Sequence, residues 1–127
     1  MKRTILYIMI LTLILSGCMR YSSYKYKDSI DNVVLIQIVQ ADENDRVLYE
    51  TEDRMMLQEF QSLKCWQRWS DPVNAIKGVS IKIYYKDGNY EIVCMNCSVY
   101  FNGKKLRYSR DYFDVDEYND FISRRIS

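Results

Sequence analysis

Hydrophobic and polar positions alternate differently in different parts of the chain, and each pattern predicts an element. Lys2 and Arg3 precede a run from Thr4 to Leu15 that is apolar except at its two threonines, Thr4 and Thr12. A helix needs about 20 apolar residues to cross a hydrocarbon core of roughly 30 Å. Taken from Ile5 to Met19, this run covers 15 positions before Arg20, and its basic start and short apolar stretch have the form of an export signal. Met19 to Ser29 is polar and shows no apolar period, which predicts a flexible leash able to reach roughly 35 to 40 Å when extended. Arg20, Lys25 and Lys27, interleaved with Tyr21, Tyr24 and Tyr26, would suit an anionic membrane surface, and equally a plain solvated linker.

From Ile30 onward the pattern is that of one folded body. Asn32 to Gln40 is dense in Val, Leu and Ile and predicts a strand buried on both faces, with Arg46 to Glu50 as its hairpin partner across the polar loop Asp42 to Asp45. Thr51 has the character of a helix N-cap, and Met56, Phe60 and Leu63 recur at helical spacing, predicting a helix from about Glu52 to Lys64. Pro72 and Asn74 punctuate the following loop. Asp87-Gly88 and Asn102-Gly103 each separate two alternating runs, as two-residue hairpin turns do. The first such turn would pair Tyr85 with Tyr90, Ile83 with Ile92 and Ile81 with Cys94. The second would pair Phe101 with Lys104, Val99 with Leu106 and Cys97 with Tyr108. Asp114 followed by Glu117 resembles a capping box, and Tyr118, Phe121, Ile122 and Ile126 form one stripe of a last helix closed by Arg124 and Arg125. The order β-β-α-β-β-β-β-α predicts a two-layer α+β domain over residues 30–127, an antiparallel sheet with two helices on one face.

Composition narrows the chemistry. There are 127 residues and no histidine, so imidazole-based nucleophile pairs, His-ligated metals and a His general base are excluded. The 18 Lys+Arg against 17 Asp+Glu leave no basic surplus for nucleic acid. Only four glycines occur, and no glycine-rich phosphate loop is formed.

The residues Leu15, Ser16, Gly17 and Cys18 close the apolar run, and here the chain resembles the lipobox of bacterial lipoprotein signal peptides. The resemblance implies removal of residues 1–17, a diacylglyceryl group on Cys18 and a palmitate-type lipid anchor on the extracytoplasmic side of the cell membrane. Two or more acyl chains give stable attachment where one gives marginal binding. An ordinary cleaved signal or an uncleaved anchor is the alternative. Cys65-Trp66 with Asp71-Pro72, the strand residues Ile81, Ile83, Tyr85, Gly88, Glu91 and Ile92, and the ending Asp116, Glu117, Tyr118, Phe121 and Ile122 are similar to a loose group of small Firmicutes lipoproteins. That likeness implies an envelope location and assigns no site.

Four groups of residues carry candidate chemistry. Cys94 and Cys97 form a CxxC between two hairpins, whereas a thioredoxin-like pair wants its first cysteine at a helix N-terminus. With Cys65 the pair supplies only three zinc ligands, so no metal or other cofactor is expected. In an oxidising compartment Cys65 could bridge Cys94 or Cys97, closing a loop of about 30 residues worth about 3 kcal/mol, or all three could stay reduced and buried. Trp66 and Trp69 either plug the end of the core or form a binding corner. Tyr84 and Tyr100 point away from the core in the registers above, beside Lys82, Glu91, Lys105 and Arg107, and make a candidate interaction surface. Asp111, Asp114, Asp116 and Glu117 lack the spacing of a calcium loop, and Ser109, Ser123 and Ser127 lack a nucleophile elbow. The expected function is therefore a non-enzymatic, lipid-anchored binding module for a protein or envelope component. An inhibitor or immunity-type protein is the alternative, followed by an exported thiol protein using Cys94 and Cys97.

Overall fold

The computed structural model describes residues 22–67 and 78–126. Eight strands and two helices follow in the order β1 (Val33–Gln40), β2 (Arg46–Thr51), α1 (Met55–Phe60), β3 (Cys65–Gln67), β4 (Val79–Tyr85), β5 (Tyr90–Val93), β6 (Ser98–Phe101), β7 (Leu106–Ser109), β8 (Asp111–Phe113) and α2 (Val115–Ile126). Six strands form one antiparallel sheet in the order β2-β1-β4-β5-β6-β7, and β3 pairs with β8 in a second small sheet. The α+β class and the antiparallel main sheet agree with the sequence pattern, which did not reveal the three-residue strands β3 and β8.

One face of the main sheet supplies Ile36, Ile38, Ile81, Ile83, Tyr85 and Val93 to the core. Met56, Leu57 and Phe60 of α1, Tyr118, Phe121 and Ile122 of α2, and Phe113 and Cys65 of the small sheet close over them. Burying each large apolar side chain is worth about 1.5–3 kcal/mol. Phe60 is the hub: the rings of Phe113, Phe121, Tyr24 and Tyr118 lie 4.9, 5.2, 6.1 and 6.3 Å from it. Strand β1 is buried on both faces only at its Ile38–Val39 end, since Val34 remains 45% exposed and Gln37 is half-buried.

Both helices differ from their sequence forecast at the N-terminal end or in its capping. Thr51 Oγ1 accepts from the Asp53 N–H at 3.1 Å, and Asp53 Oδ1 accepts from the Met55 N–H at 3.0 Å, so side chains hold the backbone in turns until Met55. Helix α1 therefore starts only at Met55, and i→i−3 bonds from the Ser62 and Leu63 N–H groups to the Glu59 and Phe60 carbonyls follow it, so it spans six residues instead of the expected thirteen or so. At α2, Asp114 Oδ1 accepts from the Glu117 N–H at 3.0 Å, the forward half of a capping box. The return half is redirected, because Glu117 accepts from the Lys64 N–H at 3.2 Å while the Asp114 N–H donates to the Lys64 carbonyl at 3.1 Å. The cap thus ties α2 to the segment leaving α1.

Hairpin geometry corrects the expected strand faces. The β4–β5 loop has three residues, Lys86, Asp87 and Gly88: the Gly88 N–H donates to the Tyr85 carbonyl at 3.1 Å and the Tyr85 N–H to the Asn89 carbonyl at 2.9 Å. Gly88 sits at φ 82°, where a side chain would be strained. The partners are Tyr84 with Tyr90, Ile83 with Glu91 and Ile81 with Val93. This one-residue slip moves every β5 side chain to the opposite face from that expected. In the β6–β7 turn Gly103, at φ 95°, and Lys104 are central, and the Asn102 N–H donates to the Lys105 carbonyl at 3.3 Å. Phe101 meets Leu106 and Val99 meets Tyr108, a shift of two that keeps the same residues together on one face of the hairpin, while the flipped β5 turns that face outward and Tyr100 inward.

The stretch expected to be a leash is part of the fold from Ser22 on. Ser22 bridges to Cys65, with its N–H donating to the Cys65 carbonyl at 2.9 Å. Tyr24 is only 2% exposed in the core, and the Tyr26 hydroxyl donates to the Leu57 carbonyl at 2.7 Å. We refer to Ser22–Ser29 as the strap.

Candidate functional site

The register places two different sets of polar and aromatic residues on the two faces of the main sheet. On the outer face, opposite the helices, successive cross-strand pairs align Gln37, Lys82, Ile92, Val99 and Tyr108 in one row and Leu35, Tyr84, Tyr90, Phe101 and Leu106 in the next. Tyr90 stacks on Phe101 at 5.1 Å, and the Tyr84 and Tyr90 rings are 6.4 Å apart. The Lys82 ammonium lies 5.1 Å from the Tyr84 ring and 4.9 Å from the Tyr90 ring, with Asp45 at 3.4 Å. Tyr84 donates to Gln37 Oε1 at 3.2 Å. These contacts fix the ring positions relative to one another. Tyr84, Tyr90, Ile92, Phe101 and Tyr108 are half-buried and Leu106 is 42% exposed, leaving an aromatic and aliphatic platform around one cation.

Tyr84 thus keeps its expected outward place, but Tyr100 does not. It pairs with Glu91 on the inner face, and its ring lies 6.4 Å from that of Tyr85. The structure separates these two candidates and brings Tyr90 and Phe101 beside Tyr84 instead. Trp66 lies on β3, half-buried, opposite Tyr112. Trp69 and Cys18 lie outside the described residues.

Glu91 is fully buried, contrary to its expected outward position. It accepts from the Tyr24 hydroxyl, from the Tyr85 hydroxyl at 2.8 Å and from the Lys27 N–H at 3.1 Å. Burial raises its pKa above the ordinary carboxylate range, while those three hydrogen bonds oppose the shift. Burial and the facing Glu91 carboxyl push Tyr24 and Tyr85 up as well, so both phenols remain donors. Nearby, the Ser98 hydroxyl donates to Asp111 at 3.3 Å, and burial raises Asp111 too. Sequence reasoning missed this cluster. Its only signal was one acidic residue between Tyr90 and Ile92 in an otherwise apolar strand.

The three cysteines among the described residues, Cys65, Cys94 and Cys97, are thiols and all are buried. Cys94 and Cys97 face one another across the β5–β6 turn, Sγ to Sγ 3.0 Å, with the Cys94 N–H donating to the Cys97 carbonyl at 2.9 Å. The neighbouring Cys97 thiol holds Cys94 below the ordinary thiol range, at about 7, aided by backbone N–H groups, and the same interaction raises Cys97. Cys65 belongs to β3, where burial pushes its thiol up to about 12. It is not bridged to either partner of the CxxC, unlike the staple considered from sequence.

Among the described residues no group of three or more His, Cys, Asp or Glu converges as a metal site, and no helix is long and apolar enough to cross a membrane. The fold and this face define a two-layer α+β domain with one sheet face turned away from its helices. No family model, curated protein or solved structure matches the chain.

Proposed function

We propose that the chain is a non-enzymatic binding module of the bacterial cell envelope, held on the extracytoplasmic side of the cell membrane by acylated Cys18. The observation that carries the binding role is the outer sheet face, where Tyr84, Tyr90 and Phe101 are pre-positioned around Lys82 with partial exposure. Clustered aromatic side chains are the composition of interface hot spots, and with Lys82 already paired to Asp45 the face favours a protein partner that offers apolar side chains to the rings. The anchor rests on the lipobox residues Leu15 to Cys18. Docking of Ser22 to Cys65 shortens the leash: four Cα steps from Cys18 to Ser22 reach at most about 14 Å, so the domain works close to the bilayer surface.

A photo-reactive amino acid placed at Phe101 or Leu106 in the native host, with exposed Met55 on α1 as the control position, tests the face. One discrete cross-linked protein from the sheet positions and none from Met55 is expected. Equal labelling at all three positions, or none, overturns the assignment of the face. Intact mass of the membrane-fraction protein tests the anchor separately: a mature chain starting at acylated Cys18 is expected, and an unmodified cysteine there removes it.

A further inference from the structure

Met95 of the CxxC turn packs against the hydrophobic cluster, but Cys94 and Cys97 belong neither to it nor to the outer face, and their geometry is specific. Met95 and Asn96 form a turn between β5 and β6, and the 2.9 Å bond from the Cys94 N–H to the Cys97 carbonyl fixes the two cysteines opposite each other. A hydrogen-bonded antiparallel pair has its Cα atoms about 5.5 Å apart, inside the range that a disulfide spans. The two Sγ atoms point at one another at 3.0 Å, so bond formation needs an approach of about 1 Å. The Cys94 thiol also lies 3.0 Å from the Cys97 carbonyl and 3.4 Å from Asn96 Oδ1. Cys65 is held elsewhere, on β3 beside Ser22 and Phe113. A cleft of about 280 Å³ opens over the turn between Met95, Asn96 and Val79 and the α2 residues Tyr118, Asn119 and Ile122.

We infer that Cys94 and Cys97, which are buried and do not themselves line this cleft, are a reversible dithiol–disulfide site, oxidised by a low-molecular-weight disulfide when the turn beside the cleft opens locally. The Cys94 thiolate attacks one sulfur of that disulfide, forms a mixed disulfide and expels one thiolate, which takes up a proton. Cys97 then loses its proton to solvent and attacks the Cys94 sulfur, closing the intramolecular bond and expelling the second thiolate. Two electrons pass from the cysteine pair to the reagent, which leaves as two thiols. Because Cys94 attacks first, its pairing with Cys97 and the turn N–H groups matters at physiological pH. The bridge closes a loop of only four residues, so its contribution to stability by loop entropy is smaller than that of a long-range staple. A redox-responsive turn is what the geometry offers, not a structural clamp.

The experiment uses the full chain in detergent, equilibrated in oxidised and reduced glutathione over a range of ratios, quenched by alkylation and mapped by peptide mass. Expected is one bridge joining Cys94 and Cys97, loss of two alkylated thiols, and full recovery on adding dithiothreitol to the folded protein. Cys65→Ser titrates like the wild type. Cys97→Ser stops at one glutathione on Cys94, and Cys97→Ala serves as a second variant giving the same product. A trio that stays reduced at every ratio, a bridge that includes Cys65, or a bridge that dithiothreitol cannot open without denaturant each overturns the inference.

Discussion

Replacing Glu91 separates the two roles of its carboxyl, charge and hydrogen-bond acceptor. Glu91→Leu keeps the volume but leaves the Tyr24 and Tyr85 hydroxyls and the Lys27 N–H without their acceptor. A bond to a charged group is worth about 1.5–3 kcal/mol, and three of them are lost. Relief from burying the carboxylate returns several kcal/mol, which leaves a net loss of about 2–4 kcal/mol. Glu91→Gln retains an acceptor and the shape, and it isolates the charge. Burial is the main cause of the raised Glu91 pKa. Between the unfolded value, about 4.3, and the higher native value, the native state holds more protons than the unfolded one, so stability falls as pH rises through that window. Gln does not titrate, and the stability of Glu91→Gln relative to wild type should therefore climb with pH, by about 1.4 kcal/mol for each unit by which the native pKa is raised, and then level off. Asp111, also raised, is present in both proteins and cancels in the difference. Urea unfolding from pH 4 to 7.5, followed by tryptophan fluorescence on the full chain, measures it. A difference that is flat or shrinks with rising pH refutes the buried-charge argument, and a neutral Glu91→Leu refutes the hydrogen-bond one.

Phe60→Ala removes the ring that four others contact and should cost about 3–5 kcal/mol in the same urea assay, while a loss under about 1 kcal/mol would show that the hub is not packed. Gly88→Ala meets no atom within 4 Å, so its cost is backbone strain alone, about 1–2 kcal/mol, and Gly88→Asn should lose less because Asn tolerates positive φ; equal losses would point to a turn of another type. Cys65, buried and raised to about 12, should resist iodoacetamide at pH 8 until the protein unfolds, and native alkylation there within minutes would place it at the surface.

How far the sequence was legible depended on which interactions decide each element. The stripe of Tyr118, Phe121 and Ile122 and the Asp114 cap are local, and α2 follows from them directly. Both glycine turns were readable as hairpins, but not their lengths. Asp87-Gly88 fits a two-residue turn as well as a three-residue one with Gly88 last, and the wider pairing decides between them. The two-residue register looked favourable because it put Ile92 and Cys94 beside Ile81 and Ile83. The structure instead accepts Glu91 inside and exposes part of Tyr90 and Ile92, which is why Tyr100 left the candidate surface and Phe101 joined Tyr84 there. The cysteine pair was visible as a spacing. Its facing geometry was not, since that depends on the bond between the Cys94 N–H and the Cys97 carbonyl.

Two departures from the sequence pattern, the inward Glu91 and the docked strap, share one cause. A buried carboxylate must be matched by donors. The sheet itself supplies one, the Tyr85 hydroxyl, because Tyr85 and Glu91 lie on the same inner face of adjacent strands. The strap, bridged to β3 at Ser22 and Cys65, brings the Tyr24 hydroxyl and the Lys27 N–H to the two Glu91 oxygens. Tyr24 then lays its ring against Phe60 and Phe113, so one side chain both satisfies the carboxyl and completes the hydrophobic layer. Without the three-residue turn Glu91 would face outward and the strap would lose its polar anchor. Without the strap the carboxyl would keep only Tyr85 among these three donors. The strap looked like a linker because its partners lie 31 to 67 residues away in the chain, and Tyr24 acquires its polar role only once Glu91 turns inward.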